Sequence, residues 1–415
     1  MACLLSRTTV LFTLLLTLVT LAGAAAGGRP HEGGFGFDKL VLVHRYPVES
    51  SHPYTFFYMD YDPCWLGDGG IAFVSARENR WVYCNSGPVG ILHRMADDGS
   101  NVVRLSANVL NDFTPSVTAD GRILYTRWEY VDKSPLAIQS LWTIRPDGTG
   151  LAVVYGNRVL SPATFIEARQ IPGTQKLLCT MTGHVKPIRG AIGLIDPARG
   201  VNDQVALRNL TPEVDVPPVD FPDGDLFHGP YNSPYPLDDE FYLASKNGTL
   251  LLYDYDGTPH AVVIERRGQM GFYSPRPLRV RPRPPVMPSV VPPSQEAGRW
   301  AAVYVQDVYN GLAPHVKRGE IKRICVVEEM PRDAQSGRIR CKFSVMNVTV
   351  SCGSTYATRK VWGFADVAED GSAYFKVPAE KAIFSKSNRG VSVHLGANWR
   401  TLFLPGIPTR TAGPA

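Results

Sequence analysis

A sequence unit that is written twice over residues 61–148 constrains the fold of this chain more than any other feature. Pro63 and Pro115 stand 52 positions apart, as do Asp68 and Asp120, and each aspartate precedes a glycine. Self-similarity at a period of about 50 residues is a signature of repeat architectures. Asp-Gly between apolar segments is a strong hairpin signal, because glycine accepts the positive φ that a tight turn requires. The unit therefore predicts a pair of β-hairpins for every repeat.

A second half-unit follows each copy, and weaker copies continue the pattern. Asp98 and Asp147, both before glycine, stand 49 positions apart, and Asp196 follows after another 49. Two hairpins per repeat make a four-stranded antiparallel sheet, which is one blade of a β-propeller. We therefore predict an all-β fold in which residues 40–297 form a propeller of about five to seven blades. Residues 39–44 are a candidate for the strand that closes its ring.

A proline-rich segment, residues 279–293, ends the repeats. Proline fixes φ and removes a hydrogen-bond donor, so this segment cannot be a central strand and is a linker or an extended strap. Its arginines, Arg279, Arg281 and Arg283, are predicted to pair with acidic residues, with a bound anion as the alternative. β-like segments follow. They predict a small β domain over residues 298–384, with a tail of uncertain structure over residues 385–415.

The first 26 residues resemble a secretory signal peptide. Arg7 supplies a positive charge, residues 8–21 are apolar, and Ala22-Gly23-Ala24 is similar to a cleavage site. The alternative is a membrane anchor, but the apolar run is short for a membrane span of about 20 residues. We therefore predict a secreted or periplasmic protein that has no membrane association after cleavage.

The composition is typical of a globular protein, with 44% hydrophobic and 20% charged residues. The net charge of +5 is spread over 415 residues, which is too weak and too diffuse to indicate nucleic-acid binding. The tryptophans of the first two repeats, Trp65, Trp128 and Trp142, are predicted to pack inside the blades. Neither Gly-x-Ser-x-Gly, a phosphate-binding loop nor His-Glu-x-x-His occurs, so the residues alone leave enzymatic activity undecided.

Export would place the cysteines in an oxidising compartment, where disulfides form. Beyond the predicted leader the chain has six cysteines: Cys64, Cys84, Cys179, Cys325, Cys341 and Cys352. Cys64 and Cys84 are a plausible pair around one hairpin, although spacing alone does not fix the connectivity. In a eukaryotic host, three Asn-x-Thr sequences would be glycosylation candidates, at Asn209, Asn247 and Asn347.

Several side chains that could bind a metal fall within 50 residues of one another. Histidine and cysteine suit zinc or copper, so one interpretation is a metal or cofactor pocket in the first blade. The simpler interpretation is turn aspartates, a disulfide and surface histidines. The candidate ligands are His44, His52, Cys64, Cys84 and His93, with Asp60 and Asp62 beside them.

The long segment 212–230 offers a second group of candidates, because long loops in compact domains are often functional. Carboxylates there would serve as a general acid and base if the fold positioned them. The simpler interpretation is a solvated loop. The residues are Asp215, Asp220, Asp223, Asp225 and His228.

The repeats resemble TolB-type propeller units, and several runs are similar to the family of the hydrazine synthase alpha subunit. They include Tyr61-Asp62-Pro63-Cys64, Arg145-Pro146-Asp147-Gly148 and Val305-Gln306-Asp307-Val308-Tyr309. Residues 369–379 resemble the middle domain of that family. The resemblance extends over about residues 40–384, whereas residues 385–415 do not look like the family.

What the resemblance implies about a cofactor is limited. Family members typically carry c-type haem on a Cys-x-x-Cys-His segment beyond this point, and this chain has no such motif. Either the sequence is truncated or frame-shifted near Phe384, or this branch has lost the haem region. We therefore expect no haem in this chain, and the residues do not identify a metal.

Three functions are consistent with these observations. The first is an exported binding or scaffold module, with other subunits of an exported complex as partners. The second is a haem-dependent oxidoreductase subunit whose haem region is missing from the sequence. The third is a hydrolase or lyase that uses the propeller channel.

Overall fold

The computed structural model describes residues 15–20, 35–47, 60–82, 87–129, 138–184, 187–222, 224, 227–291, 300–310, 312–333, 359–387 and 392–393. Across these residues the fold is all-β with many antiparallel sheets, as the sequence predicts. Helix is limited in them to the 3₁₀ turns Pro197–Arg199 and Gln204–Ala206. In the same residues, no helix has the length and apolar character needed to cross a membrane.

The described part of the chain starts with two antiparallel strands, which precede four groups of four antiparallel strands that we call units I to IV. Units I and IV are separate sheets, whereas units II and III together form one eight-stranded sheet. The initial strands are β1 (Leu15–Thr20) and β2 (Lys39–Arg45). Unit I comprises β3 (Asp60–Trp65), β4 (Ile71–Ser75), β6 (Ile91–Met95) and β7 (Val103–Arg104), with β5 (Arg80–Trp81) outside the sheet. Unit II comprises β8 (Asp112–Val117), β9 (Ile123–Glu129), β10 (Ile138–Ile144) and β11 (Ala152–Tyr155).

The next two units repeat this order of strands. Unit III comprises β12 (Thr164–Gln170), β13 (Leu177–Thr182), β14 (Ala191–Ile195) and β15 (Leu207–Asn209). Unit IV comprises β16 (Tyr231–Pro236), β17 (Phe241–Lys246), β18 (Thr249–Asp254) and β19 (Pro259–Ile264). One parallel pairing, between Gln139 and Thr164, joins unit II to unit III.

A further sheet, unit V, joins the two ends of the repeat region. Its first strand is β20 (Gly271–Pro277), which pairs with β2, and β2 in turn pairs with β1. The prediction of a strand at residues 39–44 is confirmed, and its partner is the last repeat. The first strands of the units contact one another in chain order: β3 with β8, β8 with β12, β12 with β16, and β16 with β20.

The turns that predicted the repeat occupy equivalent positions. Asp68 and Gly69 lie between β3 and β4, and Asp120 and Gly121 lie between β8 and β9. The glycines have φ values of 91° and 89°, which only glycine adopts readily. Each aspartate also accepts a hydrogen bond from the backbone N–H two residues later, at 3.0 Å in unit I and 3.3 Å in unit II.

The strands of unit II show where the cores lie. Every residue of β9 and β10 is buried, because other sheets cover both of their faces. Trp128 and Trp142 are buried there, as predicted. Trp65 is 62% exposed, so the prediction is wrong for this residue, which ends β3 beside the turn.

The proline-rich segment is an extended strap, residues 278–291 in the described part of the chain, and it runs along several units. Arg279 donates to the carbonyl oxygens of Phe35 and Leu237, and Arg283 donates to the carbonyl oxygen of Gly67 at 2.6 Å. The strap then reaches unit II, where the N–H of Val290 donates to Asp147 at 2.9 Å. The strap therefore bridges units I, II and IV.

The predicted pairing of the strap arginines with acidic residues is wrong for the described residues. Arg279 and Arg283 bond to backbone carbonyls, and Arg281 donates to the hydroxyl of Tyr235 at 3.1 Å. The physical reason is that the strap lies against turns and strand ends, whose carbonyl oxygens need donors.

Gly121→Ala is expected to destabilise the protein more than Gly99→Ala. Both glycines have φ in the left-handed region, at 89° and 83°, so both changes carry the same backbone penalty of roughly 1–2 kcal/mol. A Cβ at Gly121 would lie 2.6 Å from the carbonyl oxygen of Pro285 in the strap, whereas one at Gly99 would meet no atom within 4 Å. We expect a further loss of about 1–3 kcal/mol for Gly121→Ala in urea denaturation, as for overpacking. Equal losses would contradict the strap contact.

The chain after the strap forms further antiparallel sheets. Its strands are β21 (Trp300–Val305), β22 (Arg323–Glu329), β23 (Arg332–Asp333), β24 (Arg359–Asp366), β25 (Ala373–Pro378), β26 (Ile383–Ser387) and β27 (Ser392–Val393). This part packs against unit I: β23 pairs with β5, Arg104 forms an ion pair with Glu380 at 3.0 Å, and Ala382 joins the apolar cluster of Val82 and Val89.

Candidate functional site at the centre of the repeats

The first strands of units I to V share one backbone irregularity. Each has a register shift at a non-glycine residue whose φ lies between 45° and 59°, a region that such residues rarely adopt. A bulge of this kind re-aims a side chain, and backbone strain tends to collect at functional sites. These residues, which we call the inner ring, are Asp62, Thr114, Glu167, Ser233 and Ser274.

Hydrogen bonds pass from unit to unit along the inner ring. The N–H of Thr114 donates to Asp62 at 3.2 Å, and the N–H of Glu167 donates to Thr114 at 2.9 Å. The N–H of Ser233 donates to Glu167 at 2.6 Å, and Thr180 donates to the same carboxylate at 2.9 Å. A side chain in each of units I to III thus accepts a bond from the next first strand, which holds these strands around a common centre.

A second layer, which we call the second ring, lies two residues further along each first strand. Its members are Cys64, Ser116, Arg169, Tyr235 and Arg276. The charges of Arg169 and Arg276 both act on the Cys64 thiol, although these residues belong to units III, V and I. Units I and III are not neighbours, so these side chains must project toward the common centre.

Three arginines surround Tyr235 in this layer. The guanidinium carbons of Arg169 and Arg276 lie 5.4 Å and 5.6 Å from the centroid of the tyrosine ring, within the range of a cation–π interaction. From the strap, Arg281 donates to the Tyr235 hydroxyl at 3.1 Å. The strap therefore contributes a third positive charge to the second ring.

The guanidinium groups of Arg169 and Arg276 have no ion-pair partner among the described residues. No carboxylate oxygen there lies within 4.0 Å of either group. Arg276 donates to the carbonyl oxygen of Pro275 at 3.2 Å. The nearby carboxylates of Asp62 and Glu167 instead accept hydrogen bonds from the inner ring. Three guanidinium groups and two carboxylates leave the centre with excess positive charge at neutral pH.

Burial shifts the protonation equilibria at this centre. It raises the pKa of Asp62 to about 6, and the negative charge of Glu167 acts in the same direction. It lowers the pKa of Arg276 to about 9, with repulsion from Arg169 as the next cause. It also raises the pKa of Cys64 to about 12, so this thiol is protonated at neutral pH and is a poor nucleophile.

The three described members of the predicted metal-ligand set do not form a cluster with one another. His44 stacks on Phe272 with ring centroids 4.5 Å apart, whereas His93 is buried near Arg77 and Glu78. Cys64 lies in the second ring, and no group of three or more potential ligands occurs in the described residues. His52 and Cys84 lie outside those residues. The three described candidates point into different environments, because they lie on different strands of two sheets.

The other predicted sites have mixed outcomes. Cys64 forms no disulfide with a described cysteine, and because Cys84 lies outside the described residues the pairing stays a prediction. The amide of Asn209 donates to the carbonyl oxygen of Val214 at 2.8 Å. Asn247 is exposed in a turn, and Asn347 lies outside the described residues. None of this tests glycosylation.

The segment 212–230 does not form a described acid–base site. Asp215 and Asp220 are exposed. Burial lowers the pKa of His228, whose Nδ1 meets no hydrogen-bond partner in the part of the chain that the structure describes. Asp223 and Asp225 lie outside the described residues. The polar residues that do converge, in the two rings, were missed by the sequence analysis except for Asp62 and Cys64. The signal for them was their fixed offset from the repeat proline, which units I, II, IV and V have and which Ala168 replaces in unit III.

The comparisons with known proteins confirm the family resemblance. Residues 319–403 match the sequence model of the hydrazine synthase alpha subunit middle domain. The match extends beyond Phe384, so the prediction that the resemblance ends there is wrong. The structural reason is that β26 spans this position and pairs with both β22 and β27, which continues the sheet. Among curated proteins, none matches this sequence.

A solved structure shares the fold over most of the chain. The chain is similar to Kuenenia stuttgartiensis hydrazine synthase with a TM-score of 0.57 and 14% identity, over 89% of this chain and 58% of that chain. The chain thus spans little more than half the length of that protein, and at this identity the likeness shows the fold alone.

Two further likenesses are weaker. A puromycin hydrolase gives a TM-score of 0.31 at 14% identity, over 58% of this chain and 38% of that chain. A gluconolactonase from Xanthomonas campestris gives 0.26 at 15% identity, over 60% of this chain and 87% of that chain. Both are too weak to support an inference.

Proposed function

We propose that this chain is an exported, haem-free β-propeller protein that acts as a binding or scaffold module related to the hydrazine synthase alpha subunit. The observation that carries the proposal is the closed succession of units I to V around two polar rings. That succession is followed by a β region whose sequence matches the alpha subunit middle domain.

The propeller has five blades in this proposal, at the lower end of the predicted five to seven. Each of units I to IV is one four-stranded blade, and unit V is the blade that the N-terminal strand β2 completes. Joining the first and last segments of a ring in one sheet removes exposed strand edges, which is how propellers manage the edge-strand problem. Cleavage near residue 26 would remove β1 and leave β2 in place to close the ring.

A binding role agrees with the chemistry of the centre better than a hydrolase or lyase does. The carboxylates of Asp62 and Glu167 are engaged by backbone N–H groups, and Cys64 is a poor nucleophile. The β domain beyond the strap, about residues 298–384 with the extension to 403, would attach the module to further subunits of an exported complex. Neither a nucleic acid nor a membrane is a proposed partner.

Native mass spectrometry tests the module function directly. A tagged full-length chain, isolated from the exported fraction of its native host, is expected to occur in a complex of fixed stoichiometry with at least one other exported subunit. A variant that is matched in expression but lacks the leader should remain in the cytoplasm and form no such complex. A chain that is exported but purifies only as a monomer would contradict the scaffold proposal.

The purified chain is expected to carry no covalent haem and to form no hydrazine. Covalent c-type attachment requires two cysteines at fixed spacing followed by histidine, which this sequence lacks. In a haem enzyme the cofactor performs the redox step and the protein tunes it, so the remaining side chains cannot replace it. The measurement is the absorbance spectrum after denaturation and acid extraction. A Soret band that survives this treatment would disprove the haem-free proposal.

A further inference from the structure

We propose that the second ring, together with Arg281 of the strap, is a binding site for a small oxyanion such as phosphate, sulfate or a carboxylate. This inference rests on the proposed binding-module function and names the ligand class of the module. It starts from the position of three guanidinium groups around Tyr235.

The first step of the argument is that the structure brings these positive charges together without neutralising them directly. Arg169 and Arg276 come from different units and act on each other by repulsion. Among the described residues neither has an ion-pair partner. Like charges that a fold holds together are relieved by a bound anion, and in a site of low dielectric that attraction is stronger than in water.

The second step concerns the donors that would meet the ligand. A guanidinium group presents several N–H donors in a rigid plane, which matches the oxygens of carboxylates, sulfates and phosphates in a bidentate manner. Among the described residues, the side chain of Arg169 donates a hydrogen bond to no protein acceptor. Arg276 donates from one nitrogen to the carbonyl oxygen of Pro275. Both residues are partly rather than fully buried.

The third step explains why a cation is the poorer candidate. Asp62, Cys64 and Glu167 could bind a metal by their chemistry, but both carboxylates already accept hydrogen bonds from the inner ring. The thiol is protonated at neutral pH. Two guanidinium groups beside these residues would repel a metal ion, so the net field at the centre favours an anion.

The test is isothermal titration of the full-length chain with inorganic phosphate, and separately with succinate, at constant ionic strength. We expect saturable binding of at least one of them, and the comparison distinguishes tetrahedral from carboxylate oxyanions. Arg276→Gln should weaken the binding about 10- to 100-fold, which is the usual range for losing a hydrogen bond to a charged group. Binding should also weaken above about pH 9, where Arg276 loses its proton.

The controls separate loss of the site from loss of the fold. Arg122→Gln removes an exposed arginine of a turn and should leave the affinity unchanged. If Arg276→Gln does not fold, Arg281→Gln tests the same site from the exposed strap and should also weaken binding. No saturable binding of either anion by the wild-type chain, or equal affinity in the wild type, Arg276→Gln and Arg281→Gln, would overturn the proposal.

Absorbance spectra of the same preparation distinguish failure of the oxyanion site from failure of the proposed haem-free function. Covalent haem together with intact oxyanion binding would overturn the haem-free proposal and leave the site standing. A haem-free chain in a stable complex that binds neither anion would overturn the site alone.

Discussion

Replacing Arg127 with alanine is expected to lower the free energy of unfolding by about 3–5 kcal/mol, the usual cost of breaking a buried ion pair. Arg127 and Glu129 lie on β9 with side chains that are only 6% and 5% exposed, and Nε donates to the Glu129 carboxylate at 2.9 Å. Burial alone would lower the pKa of Arg127, but Glu129 and other nearby groups raise it above its ordinary value. Removing the cation takes away the opposite charge that compensates the buried Glu129 carboxylate.

A double variant and a surface pair serve as controls for this prediction. Arg127→Met with Glu129→Leu removes both charges and should cost far less than Arg127→Ala, since apolar replacement of a whole buried pair is often neutral. Arg122→Ala breaks the exposed pair with Asp120 and should cost at most about 1 kcal/mol. The measurement is urea denaturation of each variant. Equal losses for Arg127→Ala and Arg122→Ala would show that the β9 pair is not buried as described.

The repeat region was predictable from sequence because its signals are local. A tight turn needs glycine at a positive φ, so Asp68-Gly69 and Asp120-Gly121 show the hairpins without reference to the rest of the fold. The strap was predictable for the same kind of reason, since proline excludes a central strand wherever it occurs. The exposure of Trp65 was not predictable from the sequence, because burial depends on what packs against the end of a strand.

The second ring depends on long-range geometry, so the sequence alone did not reveal it. Arg169 and Tyr235 are 66 positions apart, and Arg276 follows after another 41. Only the arrangement of the first strands around a common centre brings them together. The inner ring repeats a backbone bulge, but neither ring has one residue type in all five units. A search for one repeated residue type therefore misses both rings. A search by offset from the repeat proline finds the members in units I, II, IV and V, but not Glu167 and Arg169, since unit III has Ala168 at that position.

The free energy of unfolding is expected to fall as pH rises from about 4 to 6, through the titration of Asp112. Burial raises the pKa of this carboxyl to about 6, although Arg127 and hydrogen bonds from Ser106, Asn108 and Leu92 act in the opposite direction. In the unfolded chain an aspartate titrates near 3.9. Between these two values the folded state binds the proton more tightly, so stability is full below about pH 4 and is lost as pH rises through about 6.

The size of the effect follows from linkage. A difference of about 2 pKa units corresponds to roughly 3 kcal/mol between pH 4 and pH 7, because each unit is worth about 1.4 kcal/mol. Asp112→Asn cannot ionise, so it should remove this contribution from the pH dependence, whatever its constant effect on stability. The measurement is the denaturation midpoint of both proteins at several pH values.

Asp68 provides a control, because its pKa shift, and hence its effect on stability as pH rises, has the opposite sign to that of Asp112. The Arg94 guanidinium and the N–H of Gly70 hold the pKa of Asp68 below its usual range, despite partial burial. Asp68→Asn should therefore remove stability that the wild type gains as pH rises toward the ordinary aspartate pKa and keeps in full above it. If Asp112→Asn and the wild type lose stability in parallel between pH 4 and 6, the Asp112 carboxyl is not the group that titrates. Loss of the Arg127 cation should in contrast raise the pKa of Asp112 further, so in Arg127→Ala the loss of stability should continue to higher pH.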